Sequence, residues 1–305
     1  MNEPEVNRSP FFYVGDKYKL VPQLTRLFPS DISTYIEPFV GGGSSLTNIS
    51  AKRYIANDID EYVIKLHKAI SAYSDTPLLL FDKLFSLVEK YGLSCSYRGR
   101  TVPDELKKKY IKTYYAQYNK DSYQKMRDDY NNNQSDMLLL YLLLIYGFNH
   151  MIRFNSVGKF NLPVGNVDFN RNVYSALLGY LNFMKHNDVE FHNKDFNGFL
   201  AHIVFDNKAF VYCDPPYLIS ASEYNKLWSE EKERELYSVL DGLDKKGVRF
   251  GITNLVRHKG QENRILLEWA KKYKTFSISS NYISFNDNTI KEDSTEVYIT
   301  NYEKD

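Results

Sequence analysis

The chain has 305 residues, of which 43% are hydrophobic and 25% are charged, and both fractions are typical of a folded protein with one large domain or two modest ones. This composition excludes a disordered chain, a collagen and a coiled-coil rod. The formal net charge is only +1, so bulk charge alone gives no reason to expect a nucleic-acid partner.

Strands and helices are predicted to alternate along most of the chain. Segments rich in β-branched and aromatic residues predict strands at Thr34–Val40, Arg53–Asn57, Val189–His192, Ala209–Cys213, Arg249–Thr253, Phe276–Ile283 and Glu296–Tyr302. Amphipathic patterns predict helices at Glu61–Ala72, Ser229–Lys246 and Gln261–Lys272. The alternation predicts a mainly parallel sheet covered on both faces. Only a loop, Asn286–Ser294, separates the last two strands, which predicts a hairpin and so one antiparallel strand at the end of the sheet.

The alternation breaks between residues 73 and 187, which predicts an inserted second domain between two parts of a catalytic domain, residues 1–72 and 188–305. Within the insert we expect an apolar helix at Asp136–Gly147 and a polar hairpin-like stretch at Asn149–Gly165. Residues 98–187 contain 13 Lys and Arg against 7 Asp and Glu, so this segment is basic and the remainder is acidic. Basic charge among tyrosines favours contact with phosphates over a merely solvated face.

A glycine-rich run follows the first predicted strand, in the sequence Glu-Pro-Phe-Val-Gly-Gly-Gly-Ser-Ser from Glu37 to Ser45. Glycines at the end of a strand let a ligand approach the backbone, and a following helix start offers N–H groups. Asp58 ends the second strand 17 residues after Gly41, where a carboxylate can bind two ribose hydroxyls. The alternative is a glycine turn with Asp58 as a helix cap. The run lacks the GxGxxG spacing, which argues against a dinucleotide site.

The second motif is Asp214-Pro215-Pro216-Tyr217, directly after an apolar strand. Two prolines cannot donate hydrogen bonds, so the strand must end at the edge of the sheet where ligands bind. The Asp214 carboxylate and the Pro215 carbonyl form a pair of acceptors that matches an exocyclic amino group, and Tyr217 offers a flat face for a base. The alternative is a rigid turn closed by a buried tyrosine.

The two motifs, in this order and with an insert between them, resemble the Dam-type adenine-N6 DNA methyltransferases over nearly the whole chain. The resemblance implies a Rossmann-like class I methyltransferase fold, an α/β fold with a mixed, seven-stranded sheet, and an inserted helical and hairpin domain for target recognition. It also implies S-adenosylmethionine as the cofactor. The implied cofactor contacts are Tyr13, Lys17, Glu37, Phe39, Gly41, Gly43, Asp58, Asp195, Phe196 and Asp214. Tyr13 and Lys17 match an amino-terminal signature in which Asp16 replaces the usual second glycine.

The stretch around the predicted hairpin resembles the target-recognition hairpin of the same family. Phe148 and Asn149 match an aromatic–asparagine pair that wedges into the duplex, and Arg153 matches an arginine that contacts a base. An arginine can grip guanine O6 and N7 through two hydrogen bonds. Asn155 and Pro163 lie in the same stretch and are predicted DNA contacts. A β-hairpin with a structural asparagine is the alternative.

The resemblance implies a site-specific enzyme that methylates a flipped-out adenine in double-stranded DNA, for restriction protection or epigenetic marking. Asp214, Pro215, Pro216 and Tyr217 are the implied catalytic residues of a direct in-line transfer that needs no metal. The amino group of cytosine is a second candidate acceptor, but that chemistry more often goes with Ser before Pro-Pro. Methylation of a protein glutamine more often goes with Asn-Pro-Pro-Tyr, and a catalytically inactive nucleic-acid-binding relic is the rival outside enzymes.

The remaining expectations concern location and partners. The longest near-apolar run, Met137–Phe148, is too short for a bilayer, which needs about 20 residues, and the polar segment Asn2–Pro10 predicts no signal peptide. Cys95 and Cys213 fit a reducing compartment. We therefore expect a protein of the cytoplasm without membrane contact. The family resemblance implies a monomeric enzyme encoded by a bacterium or a phage, for which a restriction endonuclease is a candidate functional partner and a solitary enzyme is the alternative.

Overall fold

The computed structural model describes residues 6–13, 15–220, 228–279 and 294–303. Its strands are β1 Thr34–Glu37, β2 Arg53–Asn57, β3 Val189–His192, β4 Phe210–Cys213, β5 Arg249–His258, β6 Gln261–Glu262, β7 Lys274–Ile278 and β8 Ser294–Thr300. Its α-helices are α1 Val21–Leu24, α2 Glu61–Ser71, α3 Pro77–Tyr91, α4 Asp104–Tyr110, α5 Tyr114–Asn132, α6 Met137–Tyr146, α7 Arg171–His186, α8 Phe196–Leu200, α9 Glu230–Lys245 and α10 Arg264–Ala270.

The strands form one mixed sheet in the order β3-β2-β1-β4-β5-β8-β7, with β6 paired to β5. The first five strands of this order are parallel, and β8 runs antiparallel to both β5 and β7. The predicted mainly parallel sheet with one antiparallel strand is confirmed, but the predicted place of that strand at the end of the sheet is wrong. The last strand, β8, pairs with both β5 and β7, so β7 forms the edge. The strand order reverses between β1 and β4, and in open α/β sheets ligands bind outside the carboxyl ends of the strands at such a point.

The predicted number of strands and the predicted start of the last helix are wrong. The sheet of the described residues has an eighth, two-residue strand, because Lys259 and Gly260 both have positive φ and turn the chain back on itself. Gln261–Glu262 therefore pairs with the end of β5 instead of forming the first turn of a helix. The α10 helix begins at Arg264, and the Asn263 side chain caps it.

The predicted strand Phe276–Ile283 matches β7 as far as Ile278, and its residues 280–283 lie outside the described residues.

The described chain divides into two compact units. The sheet unit consists of Lys17–Val40, Asn48–Ile59 and Asn187–Asp305, and the helical unit consists of Met1–Asp16, Gly41–Thr47 and Asp60–His186. These units do not follow the boundaries of the predicted insert, residues 73–187, because the glycine-rich segment and α2 cluster with the helices. The functional division into a catalytic domain and an insert stays a prediction.

The core of the sheet unit has an aliphatic side and an aromatic side. Residues such as Ile36, Val211 and Phe250 alternate toward a cluster that includes α9 and α10. Their neighbours in the strands include buried tyrosines, which form the aromatic side. The centre of the Phe28 ring lies 5.0 Å from the ring centres of Phe210 and Tyr212. Nine of the largest fully buried side chains in the described residues are tyrosines, in both units. Much of the tyrosine content of this chain therefore fills cores.

The helical unit is built around α6, whose residues Leu139–Tyr146 are all buried. A helix that is apolar on every side is stable only when other elements surround it, and α2, α3 and α5 pack against α6. The Asp136 side chain accepts hydrogen bonds from two N–H groups at its amino terminus. The predicted apolar helix at Asp136–Gly147 is confirmed. Within the described residues, no helix is both long and apolar enough to cross a membrane.

Candidate active site

The Asp214 carboxylate lies at the carboxyl end of β4, where Pro215 and Pro216 end the strand. Its Oδ1 atom is 2.9 Å from Lys17 Nζ, accepts a hydrogen bond from Thr253 Oγ1 at 2.9 Å and lies 3.1 Å from the Tyr217 hydroxyl. Within the described residues, the bonds of this carboxylate converge on Oδ1. Its side chain is 18% exposed, so one oxygen is fixed by the protein while the group keeps access to the surface.

Lys17 and Tyr217 are buried side chains that contact the Asp214 carboxylate. Lys17 is 7% exposed, and its Nζ lies 4.8 Å from the centre of the Tyr217 ring and 3.9 Å from Glu296 Oε1. The Tyr217 hydroxyl is 2.5 Å from the same Glu296 oxygen. One lysine and one tyrosine thus contact two carboxylates, Asp214 and Glu296.

Hydrogen bonds between β4 and its neighbour β5 orient the Asp214 carboxylate. Thr253, on the adjacent strand β5, is 3.0 Å from the Tyr212 hydroxyl and holds Asp214 through its own hydroxyl. Burial, with the charges of Glu37 and Asp214, raises the pKa of the Cys213 thiol. This cysteine therefore stays a neutral thiol and is no candidate nucleophile. The arrangement suits orientation of a substrate group by hydrogen bonds.

Asn57 ties the ends of β1, β2 and β3 together. This fully buried amide donates to the carbonyls of Pro38 at 3.0 Å and Lys194 at 2.9 Å, and it accepts from the Lys194 N–H. The next residue, Asp58, is half-buried, and the Asn193 side chain donates to its carbonyl at 2.9 Å. The cap of α2 is Asp60 and not Asp58, so the capping alternative for Asp58 is wrong.

Other predicted cofactor residues of the sheet unit lie at or near strand ends. Glu37 is buried at the end of β1, and Ile59, which sequence reasoning did not single out, is 64% exposed directly after Asp58. Asp195 caps α8 and forms an ion pair with Lys232 at 3.3 Å. Phe196 is buried and packs 5.5 Å from the half-buried Phe39 ring. Their contacts with a cofactor stay predictions.

The glycine-rich segment belongs to the helical unit, where Tyr13 and His67 support it. Gly41 and Gly43 have φ of 46° and 76°, which side-chain-bearing residues rarely adopt. The Tyr13 ring packs against Gly41, and the buried His67 contacts the Gly41 carbonyl through Nε2 at 2.9 Å and the Tyr180 hydroxyl through Nδ1 at 2.8 Å. The expected helix start is a single 3-10 turn, Leu46–Asn48, because only a short connection separates β1 from β2.

Asp16, the departure from the family signature, has a structural role in the same unit. Its carboxylate accepts a hydrogen bond from the Ser44 hydroxyl, and its N–H donates to the Tyr13 carbonyl at 3.1 Å. The side chain that replaces a glycine thus links the amino-terminal segment to the residue after Gly43. This link holds Tyr13 next to the glycine-rich segment without the second glycine.

The predicted recognition hairpin spans residues 147–165 of the helical unit. Bridges between Gly147 and Val164 and between Phe154 and Phe160 confirm the hairpin-like expectation. Phe148 is 52% exposed, and Asn149 has φ of 54° at the position that presents it to solvent. Arg153 donates through Nε and Nη2 to the side chain and carbonyl of Asn161, both at 2.9 Å.

The other two predicted DNA contacts shape this hairpin. The Asn155 carboxamide oxygen accepts from the N–H groups of Val157 and Lys159, so it organises the turn at the tip. Pro163 is exposed, and its carbonyl accepts from the Phe148 N–H at 2.9 Å. Contact of either residue with DNA stays a prediction.

Sequence reasoning did not single out five residues described above. They are Asn57, Ile59, Thr253 and Glu296 in the sheet unit and His67 in the helical unit. For the polar residues among them, the only available signal was polarity inside an apolar pattern, as for Glu296 in the predicted strand Glu296–Tyr302. That signal shows that a polar group is buried, but it does not show what the group contacts.

The sheet order, the glycine-rich segment after β1 and the acid after β4 define a class I methyltransferase fold. A family model of the D12 class N6 adenine-specific DNA methyltransferases matches residues 13–284. The chain belongs to this family, which confirms the resemblance identified from its motifs.

Individual relatives support the assignment. The chain is 33% identical over 303 residues to the type II methyltransferase M.FokI of Planomicrobium okeanokoites and 31% identical over 306 residues to the modification methylase StsI of Streptococcus sanguinis. Each alignment covers 97% of this chain but 43% of the relative, so the chain spans less than half the length of these relatives. The DNA adenine methylase of Escherichia coli (strain K12) is 26% identical over 291 residues, which are 90% of each chain.

Proposed function

We propose that this protein is a site-specific DNA methyltransferase that transfers a methyl group to N6 of adenine. The observation that carries the proposal is the Asp214 carboxylate at the end of β4, whose Oδ1 is held by Lys17 and Thr253 and lies within hydrogen-bond distance of the Tyr217 hydroxyl. The fixed oxygen leaves the other, Oδ2, to accept a hydrogen bond from an amino group. Membership of the D12 class family supports adenine as the base that carries this amino group.

Asp214 and the Pro215 carbonyl orient the amino nitrogen by accepting its two N–H groups, and Tyr217 stacks on the flipped base. Bound S-adenosylmethionine supplies a methyl group on a positively charged sulfur, which becomes a neutral thioether when the nitrogen attacks the methyl carbon. The protein contributes mainly position and a partly dehydrated environment, because the sulfonium already provides the chemical driving force. No covalent intermediate with the protein is needed.

The residues present fit this cofactor. The left-handed conformations of Gly41 and Gly43 expose backbone to a ligand, and Asp58 offers a carboxylate to ribose hydroxyls. The exposed Ile59 side chain beside it suits contact with the adenine ring. The remaining proposed cofactor residues are Tyr13, Lys17, Glu37, Phe39, Asp195, Phe196 and Asp214.

The DNA is held, in this proposal, by the predicted insert, residues 73–187. Phe148 and Asn149 enter the duplex, while the bonds to Asn161 hold the Arg153 guanidinium ready for a base edge. Asn155 and Pro163 support the same hairpin. The relatives named modification methylases favour a restriction endonuclease as the functional partner. A DNA substrate is consistent with an enzyme of the bacterial cytoplasm, encoded by the bacterium or by a phage. The monomeric state stays a prediction.

The test is transfer of tritium from labelled S-adenosylmethionine to unmethylated DNA, followed by digestion to nucleosides. We expect label in N6-methyladenine for the wild type, and a loss of at least about a thousandfold for Asp214→Ala. Asp82→Ala, at an exposed site on α3, is the matched control and should retain the wild-type rate. Label in N4-methylcytosine would establish the second candidate acceptor, and the absence of label would support an inactive relic.

A further inference from the structure

Glu296 is a fully buried carboxylate on β8, the strand that lies between β5 and β7. It shares Tyr217 and Lys17 with Asp214 and has no assigned role. We propose that Glu296 is a positioning residue for methyl transfer, which anchors the Tyr217 hydroxyl and offsets the charge of Lys17 so that Asp214 remains an effective acceptor. The proposal rests on the function proposed above.

The geometry assigns the tyrosine proton to Glu296. Tyr217 has one O–H group, but two carboxylate oxygens lie within hydrogen-bond distance, at 2.5 Å in Glu296 and 3.1 Å in Asp214. The shorter contact takes the hydrogen. Tyr217 is therefore held through Glu296, and Asp214 Oδ1 keeps Lys17 and Thr253 as its donors.

The charges give Glu296 a second effect. Lys17 lies beside both carboxylates, and in the part of the chain that the structure describes Glu296 adds a negative charge to an ion pair in which Lys17 would otherwise offset Asp214. In the proposed reaction the nitrogen lone pair forms the N–C bond as the C–S bond breaks, and a proton then leaves the methylated nitrogen for water. Positive charge moves from sulfur to nitrogen, so a negative cluster beside the nitrogen stabilises the transition state.

Burial of this glutamate is costly unless its interactions compensate for the lost hydration. The three residues that follow Glu296 in β8, Val297, Tyr298 and Ile299, are all buried. Glutamine would satisfy the same tyrosine hydroxyl without a buried charge. The presence of a carboxylate here therefore favours a role for the charge itself.

The decisive variant is Glu296→Gln, which keeps an acceptor for Tyr217 and removes the charge. In single-turnover methylation we expect a rate at least about tenfold lower, with KM for DNA changed by less than about threefold. Glu233→Gln is the matched control, because Glu233 is equally buried in the sheet unit and is bonded to Tyr237. It should lower Tm but keep the wild-type rate. A Glu296→Gln rate within twofold of wild type would overturn the proposal.

A binding measurement tests the charge without turnover. Sinefungin carries an amine cation where S-adenosylhomocysteine has a neutral sulfur, so the ratio of their affinities reports the local field. We expect this ratio, measured by calorimetry, to fall at least about threefold in Glu296→Gln and to stay constant in Glu233→Gln. An unchanged ratio in Glu296→Gln refutes the charge role. If the wild type methylates no DNA, the proposed function fails, while the affinity ratio still decides this proposal.

The hydrogen bond from the Tyr217 hydroxyl to Glu296 is tested by Tyr217→Phe, which removes the hydroxyl and keeps the ring. We expect it to lower the single-turnover rate at least about threefold in the wild-type background and by less in the Glu296→Ala background, which has no acceptor for the hydroxyl. Fully multiplicative effects would show that the two residues act independently and would overturn the anchoring role. Should Glu296→Ala fail to fold, a wild-type rate in Tyr217→Phe alone would overturn it as well.

Discussion

The buried His67 makes the stability of the helical unit depend on pH in a way that can be measured. Its Nε2–H donates to the Gly41 carbonyl and its Nδ1 accepts from the Tyr180 hydroxyl, which is the arrangement of a neutral ring. Burial lowers the pKa of His67 from 6.5 to about 4. Protonation in the folded state would place a charge in a dry site whose Nδ1 is already engaged by a hydroxyl group.

The sign and size of this pH dependence follow from the pKa of His67 in the unfolded chain, 6.5, and in the folded chain, about 4. Between pH 6.5 and about 4 the unfolded chain binds a proton at this site that the folded chain does not bind, so the free energy of unfolding falls as the pH falls. The contribution of His67 is fully present above pH 6.5 and is lost as the pH decreases through about 4. From pH 7 to pH 5 the free energy of unfolding therefore falls by about 2 kcal/mol because of His67.

The assay is urea unfolding of the wild type and of His67→Gln at both pH values. Glutamine does not titrate in this range and can replace one of the two hydrogen bonds. We expect the variant to be less stable at pH 7 by about 1–2 kcal/mol, because one buried polar group loses its partner. Its loss of stability between pH 7 and pH 5 should be about 2 kcal/mol smaller than that of the wild type. Equal losses in the two proteins would refute the assignment of this pH dependence to His67.

Three further outcomes are expected. A β-carbon at Gly42 would lie 2.4 Å from Ser9 Oγ, so Gly42→Ala should displace the amino-terminal segment and weaken S-adenosylmethionine binding by about tenfold, as measured by calorimetry. Asn57→Ala removes the donor to the buried Pro38 carbonyl and to the partly buried Lys194 carbonyl, and should cost about 2 kcal/mol in thermal unfolding. Phe148→Ala should change stability by less than about 0.5 kcal/mol, because the side chain is exposed, yet reduce the fluorescence increase of DNA with 2-aminopurine at the target base. An unchanged fluorescence response would contradict the wedge role of Phe148.

Local patterns predicted the parts of the site whose residues are neighbours in the chain. The run from Asp214 to Tyr217 could be recognised because two prolines after an apolar strand dictate where the strand ends. The same holds for Gly41–Gly43 after β1. The charge pattern predicted a basic segment at residues 98–187, but it could not show which of its tyrosines are buried, and Tyr123 and Tyr130 prove to be core residues.

The sequence by itself determined the class of fold, the two strand-end motifs and the family, because alternation, prolines and glycines act over a few residues. Only the tertiary structure decided what surrounds Asp214. Glu296 follows it by 82 residues, and Lys17 precedes it by 197. They meet at Asp214 because, within the sheet unit, β8 lies beside β5 and Lys17 reaches the carboxyl end of β4. Such contacts depend on strand order, which no short-range pattern encodes.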